Sequence, residues 1–401
     1  MLYSTMPSEN TLTVNPRVLQ WARVESGWPA ERVAKRLQVK VERVNAWEQG
    51  KRQPTLRQVE ALSRFLHRPL SVFFLPKPPE LPPLAAEYRR LPRIRPGHES
   101  PELRLAVRQM LTRRENALSL MAELGAQVPA FELIAHLNET PVEVGARLRA
   151  ALAVPTEDQL GWRTEWEAWR TWRARVEGIG VLVFQFGKVG LAEVRGLSLL
   201  HAPLPAAGIN GKEIPEGKSF TLLHEVVHLM LAAGKEEKSA LLEKRSGAEW
   251  QQVERFAEVA ASNALIPEKA LTDAIGRRQA DAGWSLDEMR NLARRFRVTP
   301  LAMATRLRES GVMTWARYRS WREAWEKYVA SLPPRRSGFA TPPDKAMNRS
   351  GRPFVQLVLE ALDANRITSV DAGRYLDLKF EHFGKLREML AQGPIGGSSD
   401  E

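Results

Sequence analysis

Phe220–Leu231 reads FTLLHEVVHLML, and its reading decides the fold around it. Apart from Thr221, His224, Glu225 and His228, every position in it is apolar. A helix that is apolar all round is a buried helix. Residues four apart on a helix lie one above the other on the same face. His224 and His228 therefore present two imidazoles side by side, with Glu225 one step round the helix. Buried ionisable groups need partners, so two His and a Glu in one buried turn point to a shared cation.

The spacing His-Glu-x-x-His on a helix is a zinc-site pattern in which the Glu serves as general base to a water. A catalytic zinc takes three protein ligands and keeps one position open. The third ligand is expected downstream, in Glu249–Leu265, EWQQVERFAEVAASNAL, a helix ended by Pro267. Glu254 and Glu258 are four apart and share a face there. Ala257, Ala260, Ala261 and Ala264 lie on or near it and allow close approach to the His helix. Spacing alone leaves both carboxylates open. The one not used holds a His ring or is a solvated surface group.

FTLLHEVVH followed by ERFAEVAASNALIP resembles the ImmA/IrrE family of zinc metallopeptidases. The resemblance implies that the third ligand is Glu254, which opens an E-x-x-A-x-x-x-A…L-x-P stretch matched by Ala257, Ala261, Leu265 and Pro267. It implies Zn2+ as cofactor, with Mn2+ as a substitute, and Glu225 as the catalytic base of a zinc endopeptidase. It also implies a protein substrate, another transcriptional regulator, cut in stress response or mobile-element control. One departure stands out: many members carry Asn where this chain has Glu258.

The remaining sequence limits the partners. At 401 residues and 43% apolar, the chain is long enough for two or three domains with real cores. It has no run of about 18 uncharged apolar residues, so no membrane span is expected. Met1–Leu12 lacks a basic stretch followed by an apolar one, so no signal peptide is read there. With no Cys, disulfides and thiolate ligands are excluded. These features predict a cytoplasmic protein. A net charge of +12 and a pI near 10.0 point to a polyanionic partner.

Residues 15–75 carry Val18, Ala22, Val33, Ala34, Leu37, Val44, Trp47, Leu56, Val59, Leu62, Phe65 and Leu66 at helical spacing, which predicts short helices around one small core. Ala30–Leu37 and Val41–Glu48 read as two helices joined by a turn over Gln38–Lys40, with Gly50 as the stop and Pro54 beyond it. That is a helix-turn-helix, whose second helix enters the major groove. The run Trp47-Glu48-Gln49-Gly50 with Pro54-Thr55 resembles the XRE, phage-repressor-like family. The resemblance implies operator DNA as partner of residues 15–75, with Lys40, Val41, Glu42, Arg43 and Asn45 facing the groove. Lys51 and Arg52 would then reach phosphates, and a homodimer is implied, since such domains work as two-fold pairs. Two departures remain: Lys40 cannot cap a helix as a hydroxyl does, and Glu42 repels phosphate unless it accepts from a cytosine.

Between these regions, LPKPPELPP at Leu75–Pro83 reads as a stiff connector. Glu99–Leu124 reads as one long amphipathic helix with a solvated Arg face, and Glu132–Ala151 as one or two more helices. Trp162, Trp166, Trp169 and Trp172 form one helical stripe, read as core or a docking face rather than a stacking platform for nucleic acid. From Gly180 the pattern switches to strands: Val181–Phe186, Gly196–Leu200 and Ala206–Asn210, the last closed by an Asn-Gly turn. The edge of that sheet offers a place for an extended peptide. His201 and Arg195 beside it are candidate groups for holding a ligand or the substrate. Lys235–Gly247 is charged and reads as an exposed excursion over the site. Leu286–Gly311 resembles the further helix-turn-helix that ImmA/IrrE proteins carry, with Thr299 as cap and Pro300 at the first helical position.

The expected fold is mainly α with a small β-sheet (α+β). The expected domains are 1–75 helix-turn-helix, 76–98 Pro-rich linker and 99–270 metallopeptidase-like with preceding helices. They continue with 271–330 as a helix-turn-helix-like extension, 331–350 as linker, 351–392 as C-terminal helices and 393–401 as disordered tail. The competing functional reading is a non-catalytic, antitoxin-like repressor whose metal-site fold senses or docks a partner.

Overall fold

Capping residues set many of the helix starts. In the computed structural model, which describes residues 13–89, 91, 94–276, 283–333 and 338–393, reciprocal capping boxes pair Thr55 with Gln58, Ser246 with Glu249, Ser285 with Glu288, Thr341 with Asp344 and Thr368 with Asp371. The chain divides into two units: Met1–Leu84 with Gly97–Arg108, and Ala85–Pro96 with Gln109–Glu401. The fold is mainly helical with one small sheet.

The first unit is built on α1 (Pro16–Glu25), α2 (Ala30–Leu37), α3 (Val41–Glu48) and α4 (Leu56–Leu66). Their apolar faces bury Leu19, Ala22, Val33, Val44, Trp47, Val59, Leu62 and Leu66, with Val14 and Phe73 closing the ends. The α2–α3 turn is made by Gln38 at φ 56°. Gly50 takes φ +71° after α3, a conformation that favours glycine. Arg23 grips Glu48 with Nε on Oε1 at 2.6 Å and Nη2 on Oε2 at 2.8 Å, tying α1 to the end of α3. Leu56, expected in this core, is 61% exposed. It is the first residue of α4, and Thr55 capping places its side chain outside the helix packing.

The second unit holds the sheet and the His helix. α5 (Pro101–Leu124) belongs to the first unit up to Arg108 and to the second from Gln109, and it is followed by α6 (Pro141–Ala151), α7 (Thr156–Gly161) and α8 (Glu165–Gly178). The strands β1 (Leu182–Phe186), β2 (Gly196–Leu199) and β3 (Ala206–Asn210) lie in the order β1-β3-β2, with β1 parallel and β2 antiparallel to the central β3. Then come α9 (Pro215–Ala233), α10 (Gly247–Leu265), α11 (Glu268–Ile275), α12 (Leu286–Arg295), α13 (Pro300–Glu309) and α14 (Trp315–Ser331). α15 (Pro342–Ser350), α16 (Arg352–Asp363), α17 (Ser369–Leu376) and α18 (Phe383–Ala391) finish the chain. α9 packs on α8, on β2 and β3, and on α10, while α10 also packs on α6. The α6–α10 crossing is close because residue 145 is Gly: a Cβ there would stand 2.3 Å from the Ala260 carbonyl oxygen.

Several expectations change. Among Glu132–Ala151 only α6 is helical; Ala135 instead donates its N–H to the Met230 carbonyl at 3.0 Å. Trp162 precedes α8 rather than sharing its stripe, yet it meets Trp172 edge-on at 5.6 Å, and Trp169 and Trp172 are buried as core. The Arg face of α5 is not wholly solvated: Arg114 Nε donates to the Leu204 carbonyl at 2.7 Å, and Arg113 is buried over the Phe184 ring. The stretch 331–350, expected as linker, contains α15, packed on β1; Thr341 capping and Pro342 at the helix start explain it. Thr299 caps α13 as expected, accepting from the Ala302 N–H. The tail expected at 393–401 lies outside the described residues from 394 onward. Among the described residues no helix is long and apolar enough to cross a membrane.

Candidate functional site

α9 presents His224 and His228 on one face, and their Nε2 atoms lie 3.0 Å apart. α10 brings Glu254 to them, with Oε2 at 3.5 Å from His224 Nε2 and Oε1 at 3.7 Å from His228 Nε2. One ligand atom from each residue lies within 4.8 Å of the other two. Zinc bound tetrahedrally at about 2.0–2.1 Å sets neighbouring ligand atoms about 3.3 Å apart, so these three donors fit one ion. Glu258, the open alternative, is exposed on α10 and stands outside the cluster. His228 is fully buried, whereas His224 and Glu254 keep 12% and 13% side-chain exposure, a narrow access for water.

Glu225 points from the same helix toward β2. Its carboxylate is saturated: Arg89 Nε donates to Oε2 and Nη2 to Oε1, both at 3.1 Å, and the Ser198 hydroxyl lies 2.5 Å from Oε2. Arg89 Nη1 also donates to Glu254 Oε1 at 2.7 Å. β2 comes this close because residue 196 is Gly; a Cβ there would meet Thr221 Cγ2 at 2.5 Å and Glu225 Oε1 at 2.8 Å. Burial alone would raise the Glu225 carboxyl, but Arg89, with both His rings, outweighs it and holds the group below its usual range. The same balance of burial against Arg89 and the two His keeps Glu254 strongly ionised. His228 is held neutral, chiefly by burial and then by Arg89. His224 is raised, because contact with Glu254 overcomes its burial.

Behind His228 stands Glu237, its Oε1 2.8 Å from Nδ1. Burial pushes this carboxyl up to about 8. A cation at Nε2 would draw the shared proton onto Nδ1 and leave Glu237 as the accepting carboxylate. The excursion Lys235–Gly247 is therefore only partly exposed: Glu237 and Ala240 are buried within it. His201 and Arg195, candidates for the site, are engaged elsewhere. Arg195 is held bidentately by Glu213 at 2.7 and 2.8 Å, and His201 Nε2 closely approaches Glu87 Oε2 at 2.7 Å.

In the first unit Lys40 just before α3, Glu42, Arg43 and Asn45 on it, and Lys51 and Arg52 just after it are exposed, and Val41 is half-buried. Lys40 sits at the start of α3 with no side-chain cap, as its chemistry requires.

Three residues that hold side chains of this site, Ser198, Glu237 and Arg89, escape the sequence reading. Ser198 has a detectable signal, a polar residue inside a strand buried at every position. Glu237 is hidden in a charged run that reads as solvated surface. Arg89 lies in a stretch read as Pro-rich linker and carries no periodic signal.

Two family matches agree with this division. The family described as Helix-turn-helix matches residues 19–73. The family described as IrrE N-terminal-like domain matches residues 177–308, which contain β1–β3, His224, Glu225, His228 and Glu254. No curated protein matches the chain.

Proposed function

We propose that this chain, an XRE-type helix-turn-helix region joined to an IrrE/ImmA-like peptidase-family region, is a DNA-binding regulator that is also a metal-dependent endopeptidase acting on another regulatory protein. The observation that carries the reading is the convergence of His224, His228 and Glu254 beside Glu225. Two imidazoles favour Zn2+, with Mn2+ the substitute that a carboxylate also suits. When bound there, the cation would supply Lewis-acid chemistry, lowering the pKa of a water toward about 7 and polarising a peptide carbonyl.

The chain's own groups do the rest. Glu237 fixes the His228 ring with Nε2 facing the cluster. Glu225 accepts the proton of the attacking water and hands it to the leaving nitrogen. β2 is the sheet edge along which an extended peptide is added. In the first unit, Arg43 and Asn45 of α3 read the operator, while Lys51 and Arg52 hold phosphates. A homodimer would match a two-fold operator. DNA as partner places the work in the compartment that holds it, the cytoplasm.

The test is co-expression with regulators encoded nearby, alongside metal analysis of the purified protein. Bound zinc and a cleavage that Glu225→Gln lowers by about 10²–10⁴-fold support the reading. Cleavage at the normal rate by Glu225→Gln ends it. One observation favours the second reading, a non-catalytic repressor whose metal site senses or docks a partner: Arg89 occupies both oxygens of Glu225. Zinc bound to a protein that cuts nothing, with operator binding intact, selects that reading.

A further inference from the structure

One acceptor of the β2 edge, the Ser198 carbonyl, is already taken by the chain itself. Ala85–Arg89 runs between β2 and the 239–241 segment and bonds to both. Arg89 donates its N–H to the Ser198 carbonyl at 3.3 Å. On the other side, Ala240 donates to the Tyr88 carbonyl at 2.8 Å and Leu241 to that of Ala85 at 2.9 Å, and Arg89 forms an antiparallel bridge with Ser239. Ala85 and Tyr88 are buried, and Glu87 meets His201. The Arg89 side chain then enters the cluster and takes Glu225 and Glu254 together.

We infer that Ala85–Arg89 is an inhibitory strap that blocks the edge at Ser198 and, through Arg89, engages Glu225, and that metal loading and strap release favour each other. This rests on the proposed peptidase reading and names the regulation of its site. The physical reasons are three. The Arg89 N–H takes the Ser198 carbonyl of β2, and an incoming peptide cannot bond the same acceptor from that side, because each ladder group bonds once in that direction. A carboxylate gripped by a guanidinium fork and a hydroxyl is a poor acceptor for a water proton. A divalent cation and the Arg89 guanidinium share Glu254 as a neighbour, and like charges so close repel.

The coupling makes the strap testable without any turnover. Arg89→Ala is expected to tighten Zn2+ binding by about 5–150-fold in chelator competition, the usual range of coupling between linked sites. By reciprocity Zn2+ should speed hydrogen exchange of the Ala240 and Leu241 amides in the unaltered protein by a similar factor, about 5–150-fold. That second measurement stands even if Arg89→Ala fails to fold. In the regulator-cleavage assay Arg89→Ala should cut faster than the unaltered chain. Weaker or equal Zn2+ affinity in Arg89→Ala, unchanged exchange at Ala240 and Leu241 on loading, or slower cleavage would each overturn the strap and make Arg89 a positioning residue. Failure of both proteins to bind zinc overturns the metal reading, and the strap with it; zinc on both with equal affinity overturns the strap alone.

Discussion

The helix-turn-helix and the candidate metal cluster are assembled in opposite ways. The first is made by neighbours in sequence: its α1–α3 tie, Arg23 to Glu48, spans 25 residues. The second brings Arg89 to Glu225 across 136 residues and to Glu254 across 165. The first needs helix periodicity, a cap and a stop, all local. The second needs a sheet, two long helices and an intervening segment to be in place before any of its groups meet. A local element survives damage elsewhere; a cluster made of distant parts reports on every part.

Trp47→Ala tests that contrast with the largest expected effect. Trp47 is 2% exposed at the centre of the first unit's core. Its loss should cost about 3–5 kcal/mol of that unit's stability and abolish operator binding. Zn2+ binding by His224, His228 and Glu254 should be unchanged, measured by metal titration alongside thermal unfolding. Loss of both activities together would show that the two regions fold as one and would break the comparison.

Next in size is the choice between the two carboxylates of α10. Glu254→Gln removes the proposed third ligand and should lower Zn2+ affinity by more than about 100-fold, beyond what loss of an outer partner does. Glu258→Gln, on an exposed position, should leave affinity unchanged. Equal losses in the two would mean that Glu258 reaches the ion. Glu237→Gln should fall between them, at about 10–100-fold, because it removes the carboxylate behind His228.

These differences also explain what the sequence made legible. The His-Glu-x-x-His turn and both helix-turn-helix helices are readable because each is a periodic local pattern; α2 and α3 end where Leu37 and Glu48 predict. The three strands are readable as apolar runs within a residue of their ends. Glu254 against Glu258 is not decidable from spacing, since both lie on one helical face and only the packing of α10 on α9 separates them. Arg89 and Glu237 are invisible for a stronger reason. A charged residue in a linker or a charged run looks solvated, and only a remote counter-charge makes its burial affordable. α15 was obscured by composition, since its Pro residues mark a helix start as well as a linker.

The DNA face gives a smaller effect. Lys51 is exposed just beyond α3, and the proposed reading has it hold a phosphate rather than read a base. Lys51→Ala should weaken binding to operator and random duplex alike and flatten the salt dependence by about one unit of slope. Arg43→Ala should instead lose about 1–3 kcal/mol on the operator alone, if it reads a base. Identical losses on both duplexes for Arg43→Ala would turn α3 into a phosphate-binding helix and leave base readout to other residues.

The smallest effect, that of Leu56→Ala, separates periodicity from packing within α4. Leu56 and Leu62 both sit on the apolar pattern, yet Leu56 is 61% exposed and Leu62 is fully buried. Leu62→Ala should cost about 2–5 kcal/mol, whereas Leu56→Ala should stay within about 0.5 kcal/mol. The difference arises because Leu56 follows the Thr55 cap directly and has no preceding helical turn to lean on. Urea unfolding of both variants at two protein concentrations checks it. A loss above about 1.5 kcal/mol for Leu56→Ala that grows with protein concentration would mean that a second copy of the chain covers Leu56, because only association makes stability depend on concentration. The exposed start of α4 would then belong to the two-fold pairing that the operator reading requires.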